Sequence, residues 1–126
     1  MILIFGGAHQ GKLAYAMERF GFTEEHIYHC SDEDANMPEG KKIIYGIDRW
    51  VLALVRADMD VISEIKRFIK NNEDVVVICN DISCGVVPAC AVMRKWREET
   101  GRAMGMLARH SQEAVRLFCG IPGRVK

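Results

Sequence analysis

The chain has 126 residues, 49% of them hydrophobic and 27% charged, which excludes disordered and fibrous classes and is enough for one buried core. Seventeen basic residues balance seventeen acidic ones, which argues against a duplex nucleic acid partner, because phosphate-tracking proteins carry a basic excess. No apolar run reaches the roughly 18–20 residues of a membrane span, and the first residues lack a basic leader, so a cytoplasmic protein away from membranes is expected.

Residues 1–5 form a continuous apolar run closed by Gly6-Gly7, the pattern of a buried strand. Residues 12–20 read as a short helix ending near Gly21. His26–Cys30 reads as a second strand, and the acidic stretch 31–40, with Pro38 and Gly40, as a loop. Lys42–Gly46 reads as a third strand. From about Asp48, a candidate helix cap, apolar residues at 51, 54, 55, 62, 65 and 69 follow helical spacing up to Asn71-Asn72. Val75–Cys79 is the strongest strand signal, β-branched and uninterrupted. A loop, 80–87, leads to Pro88, suited to a first helical turn. A long helix follows, with a stripe at Ala89, Val92, Met93, Trp96, Thr100, Ala103, Met104, Leu107 and Ala108. Gly101 and Gly105 lie off that stripe and suggest a close contact or a break. Ala114–Cys119 reads as the last strand, stopped by Gly120 and Pro122.

Apolar strands alternating with amphipathic helices predict an α/β fold, one domain over residues 1–126, with a mainly parallel sheet and helices on both faces. The five cysteines, 30, 79, 84, 90 and 119, contain no Cys-x-x-Cys pair, so a disulfide framework or zinc ribbon is not expected. Charge is uneven. Residues 1–63 hold six Lys/Arg against ten Asp/Glu, and residues 64–126 hold eleven against seven. That asymmetry fits either an anionic ligand or ordinary surface solvation.

The sharpest motif is Gly6-Gly7-Ala8-His9-Gln10-Gly11-Lys12, which fits G-x-x-x-x-G-K between a strand and a helix. Glycines let successive amides converge on a phosphate, the helix points its positive end at the same anion, and Lys12 reaches the outer phosphates. The sheet is therefore expected to be P-loop NTPase-like. Gly6, Gly7, Ala8, His9, Gln10, Gly11, Lys12 and Leu13 are the candidate nucleotide-binding residues, for ATP or GTP. The bland alternative is a tight turn with a surface lysine. Ser or Thr ordinarily follows the lysine and serves Mg²⁺. Leu13 cannot, so metal affinity should be weakened.

Four stretches in order resemble the bifunctional adenosylcobinamide kinase/adenosylcobinamide-phosphate guanylyltransferase family of cobalamin synthesis. They are Ile4–Lys12, Asn80–Pro88, Arg94–Arg102 and Cys119–Lys126. The resemblance implies a P-loop sheet, nucleotide binding, a corrinoid acceptor and a homo-oligomer. Two departures stand out. Residues 31–42 contain neither histidine nor arginine, so the family's guanylylated His-Arg-x-x-Arg-Pro region has no counterpart and that half-reaction is expected to be lost. The family's strand-end Asp, five residues before a Trp, corresponds to Tyr45 before Trp50, a second weakening of Mg²⁺ binding.

Asp81 follows the strongest strand directly, where α/β sheets bind ligands. With Lys12 it is the candidate catalytic residue, through metal or acceptor positioning, although a loop Asp can equally cap a turn. His9 is placed to touch a phosphate or to face solvent. His26, His29, Cys30, Asp32 and Asp34 do not form a convincing ligand spacing, and no metal-ligating residue is assigned. Arg94, Lys95, Arg97 and Arg102 fit a phosphate or corrinoid contact, or a solvated helix face. Trp96 and Met104 fit the core, and Trp50 fits either role. The resulting expectation is phosphoryl transfer from ATP or GTP to a cobinamide hydroxyl. The alternative is a non-catalytic nucleotide-binding or partner-binding relative.

Overall fold

A computed structural model describes residues 1–82 and 90–126. The chain runs β1 (Ile2–Gly6), α1 (Lys12–Phe20), a 3₁₀ turn (Glu24–His26), β2 (Ile27–His29), β3 (Ile43–Tyr45), α2 (Ile47–Arg56), α3 (Val61–Asn71), β4 (Val76–Asn80), α4 (Ala91–His110), β5 (Glu113–Phe118) and β6 (Ile121–Arg124). One sheet holds all six strands in the order β2-β3-β4-β1-β5-β6. Every pairing is parallel except β5 with β6. The expected mainly parallel α/β fold is present.

Side-chain alternation along the strands makes two cores. Leu3, Ile44, Val77, Cys79 and Ala114 face α2, α3 and α4, where Trp50, Leu54, Ile65, Phe68 and Leu107 are buried. Ile4, Ile43, Val76, Ile78, Val115 and Leu117 face the opposite way, against Ala16, Leu13, Met17 and Phe20 of α1. Strands buried on both faces must be apolar at every position, which is why β1 and β4 read as unbroken runs.

Three elements differ from expectation. The helix expected from about Asp48 up to Asn71-Asn72 is two helices, α2 and α3. Asp58 takes a positive φ of 56°, and Asp60 caps α3 by accepting from the Ser63 amide at 3.3 Å. The break shifts the buried stripe to Val61, Ile65 and Phe68. Asp48 is not the cap of α2. Gly46 holds that place with a left-handed φ of 81°. The chain does not stop its sheet at β5. Cys119 and Gly120, with φ 50° and 76°, make a two-residue hairpin turn of the type I′ kind. Pro122 is tolerated because β6 is an edge strand.

Helix α4 is unbroken through Gly101 and Gly105 and is about 30 Å long. Its first turn is mostly exposed, with Val92 open to solvent; the expected stripe is buried at Thr100, Ala103 and Leu107, and Met106 joins it. Residues 83–89, which include Cys84, Pro88 and Ala89, lie outside the described residues. No helix among the described residues is long and apolar enough to cross a membrane.

Candidate functional site

β1 and β4 are neighbours, yet the helices that follow them pack on opposite faces of the sheet. The carboxyl ends of these two strands therefore flank a crevice, the place where open α/β sheets bind ligands. The glycine loop after β1 and Asp81 after β4 both open there, and the Asp81 amide donates to the Gly6 carbonyl at 2.8 Å.

The loop is held from two sides. Gly6 has φ +148°, and a Cβ there would lie 2.4 Å from the Leu117 carbonyl oxygen of β5. Only glycine fits so close an approach. Gln10 ties the far side of the loop to the hairpin turn. Its Oε1 accepts from the Cys119 amide, and its carbonyl accepts from the Gly120 amide at 3.0 Å. Nothing in the sequence pairs Gln10 with residues more than a hundred positions away.

Helix α1 starts on Gly11, in the left-handed conformation, with no side-chain cap and no acidic residue in its first turn. Its leading amides are thus available to an anion, and no carboxylate competes for them. Lys12 is buried, at 4% exposure, and its Nζ donates to the Gly7 carbonyl at 2.6 Å. Burial pulls its pKa below the usual lysine value, while Asp48 and Cys79 push it back up. An ammonium has three donors, so one carbonyl does not exhaust this one.

The other loop residues divide. Ala8 and His9 are exposed, His9 with φ 60°. Leu13 packs into the α1-side core, so the position after the lysine serves packing. Tyr45 also packs on that side and meets His29 edge-on at 5.6 Å between ring centres.

Sequence reasoning underrated Asp48. It lies in the first turn of α2 and is 3% exposed. Its Oδ1 accepts from the Asn80 amide at 3.1 Å, and its backbone carbonyl accepts from the Trp96 indole at 2.7 Å. Burial raises its pKa, opposed by hydrogen bonds from Asn80. The buried thiol of Cys79 feels Asp48, Asp81 and Lys12 together; it is pushed well up, first by burial and then by the two carboxylates. The available signal was an acid flanked by Ile47, Trp50 and Val51, which places it on a buried helix face.

The remaining candidates are dispersed. His26 closes a capping box with Thr23. His29 pairs with Glu24 at 2.5 Å. Cys30 is buried, and its thiol is pushed up to about 12, chiefly by burial. Asp32 lies 3.4 Å from Arg56, and Asp34 accepts from the Asn36 amide at 2.9 Å. Arg102 bonds Glu98 and Glu99 at 2.9 and 3.3 Å, a solvated-face arrangement. Arg94, Lys95 and Arg97 sit near the start of α4, the end from which Trp96 reaches the Asp48 carbonyl. Trp50 is core, its ring tilted against that of Phe68 at 5.6 Å between centres. Met104 and Trp96 are half-buried against the same core.

The family model described as cobinamide kinase / cobinamide phosphate guanyltransferase matches residues 42–125, two thirds of the chain. The match takes in Tyr45, Asp48, Asp81 and α4, and the glycine loop precedes it. No curated protein matches the chain.

Proposed function

The chain belongs to the cobinamide kinase / cobinamide phosphate guanyltransferase family, whose members act on nucleotide and cobinamide in cobalamin biosynthesis, and on that premise we propose a phosphoryl-transfer role for it. In this reading residues 1–126 are one P-loop domain. ATP or GTP is the donor and a cobinamide hydroxyl the acceptor. The observation that carries the reading is Lys12, a buried ammonium at the head of an uncapped helix, inside the glycine loop.

The amides of Gly7 to Leu13 and the Lys12 ammonium hold the phosphates. The acceptor oxygen bonds to the γ-phosphorus as the bond to the β-phosphate oxygen breaks. Asp81 orients the acceptor hydroxyl and takes its proton. Catalysis of this kind rests on placement and charge neutralisation.

Mg²⁺ fits the donors present. Among the described residues no group of three or more His, Cys, Asp or Glu could hold a metal. A nucleotide-bound Mg²⁺ does not need one, because phosphates and waters fill most of its shell beside one or two carboxylates. Asp81 is an oxygen donor of the required kind. When bound, the ion would neutralise charge developing on the phosphate oxygens.

The test is a titration with ATP and with GTP, each with and without Mg²⁺, using Lys12→Ala as control. Saturable binding lost in the control supports the reading, and cobinamide phosphate formation is assayed next. Wild type that binds neither nucleotide refutes it. Normal turnover by Asp81→Ala would remove that residue from the mechanism. The guanylyl-transfer half-reaction is not proposed, because residues 31–42 offer no histidine. The homo-oligomer is an expectation of the resemblance, and the cytoplasmic location one of the sequence itself.

Leu13 favours a second reading, a nucleotide binder without turnover, since its side chain is committed to the core. Leu13→Ser separates the two. A large gain in turnover marks a weakened enzyme, and no gain supports the binding role.

A further inference from the structure

Asp48 accepts from both the backbone and the side-chain amide of Asn80, neutral donors that the amide oxygen of an asparagine could also serve. A buried carboxylate is costly unless a cation compensates it. Among the described residues Asp48 has no ion-pair partner within 4.0 Å, although the Lys12 ammonium is near enough to be influenced by it. The two buried opposite charges stand in the same crevice, unjoined.

The end of β4 explains why they stand there. Successive amides of a strand point to opposite sides. The Asn80 amide points to Asp48 at 3.1 Å, and the Asp81 amide points to Gly6 of the loop at 2.8 Å. The tip of β4 is thus held between the loop and Asp48. The Trp96 indole fixes the backbone of Asp48 from α4 at 2.7 Å, so the carboxylate is preorganised by two other elements. A hard cation carried on phosphate oxygens, with its retained waters, is the charge such a position suits.

We propose that Asp48 supplies a carboxylate that binds, through coordinated water, the Mg²⁺ of the nucleotide held by the glycine loop. The inference rests on the nucleotide reading given above. It makes Asp48 a selector of the metal-bound form of the ligand over the metal-free form.

Binding of a fluorescent ATP or GTP analogue is measured in excess Mg²⁺ and in a chelator, for wild type, Asp48→Asn and Lys12→Ala. Wild type should bind about tenfold more tightly with Mg²⁺, the lower end of what outer-shell partners contribute to metal affinity. Asp48→Asn should reduce that ratio to about twofold or less while metal-free binding is unchanged or tighter, because a repelling carboxylate has gone. A purely structural role would move both affinities together. Retention of the full ratio by Asp48→Asn overturns the inference, as does a wild type indifferent to Mg²⁺. Either result leaves nucleotide binding standing. A wild type that binds nothing refutes the nucleotide reading, and this inference with it. Should Asp48→Asn fail to fold, Asp48→Glu keeps charge and acceptor while displacing the oxygen by one methylene. Its Mg²⁺ half-saturation should rise severalfold, and an unchanged value overturns the inference.

Discussion

Gly6→Ala tests whether the phosphate loop is held by close backbone approach. The added Cβ would lie 2.4 Å from the Leu117 carbonyl oxygen, about 1 Å inside ordinary contact. That oxygen is backbone, so no rotamer change relieves the clash, and β1 would have to part from β5. The residue must also hold φ +148°, a region that costs a side chain about 1–3 kcal/mol. Overpacking adds about 1–3 kcal/mol, giving a loss of about 2–6 kcal/mol. For a chain of this length that is a fall in melting temperature of roughly 8–25 °C. Gly7→Ala is the internal control. Its φ is ordinary, and its Cβ would meet only the Gln10 side chain at 3.6 Å, so a change within about 0.5 kcal/mol is expected. The assay is thermal and urea unfolding of the three proteins. A Gly6→Ala variant melting within about 2 °C of wild type, or a Gly7→Ala variant losing as much, would refute the reasoning.

Three further outcomes follow from local electrostatics. Arg19 of α1 bonds Glu113 of β5 through both carboxylate oxygens, one at 2.8 Å, and holds the Glu113 carboxyl below the usual range. Glu113→Gln should cost about 0.5–1 kcal/mol at neutral pH, given the partial exposure of the pair. The stabilisation is present above the unfolded pKa and is lost as pH falls through the lower folded value, so wild type and variant converge in acid melts. Asp60→Ala should lower the melting temperature in the same pH-dependent way, because hydrogen bonds from Ser63 hold the Asp60 carboxyl low. The exposed Cys90 thiol is pulled down by amides of Met93 and Val92. A maleimide should therefore modify it in the native protein before the buried Cys30 and Cys79; faster labelling of either buried thiol, read by mass spectrometry, would contradict that picture.

Parts of the fold were legible because they depend on short-range pattern. The apolar runs of β1 and β4 and the glycine-rich turn into α1 could be read directly, since doubly buried strands must be apolar and a positive-φ helix start needs glycine. The break between α2 and α3 was missed because apolar residues continue across it at helical spacing. Only the left-handed Asp58 and the Asp60 cap interrupt the backbone there. β6 was missed because Gly120 and Pro122 read as a stop, whereas an edge strand needs only one bonded side.

The candidate site divides along the same line. The loop, Lys12 and the strand-end Asp81 are neighbours of strong local signals. Tyr45 and Leu13 were legible as departures, and the structure supplies the reason they fit, since both pack toward α1. Asp48 was read as a helix cap because its burial depends on β4 and α4, which arrive 32 and 48 residues later. The brace from Gln10 to the hairpin turn spans 109 residues.

The sequence by itself determined the α/β alternation, the phosphate loop and the absence of the hydroxyl that ordinarily follows its lysine. Those are properties of neighbouring residues, fixed by side-chain period and backbone freedom. The tertiary structure alone decided which charges share the crevice between β1 and β4. That grouping comes from the strand order, which brings Lys12, Asp48 and Asp81 around one buried thiol from three separate parts of the chain.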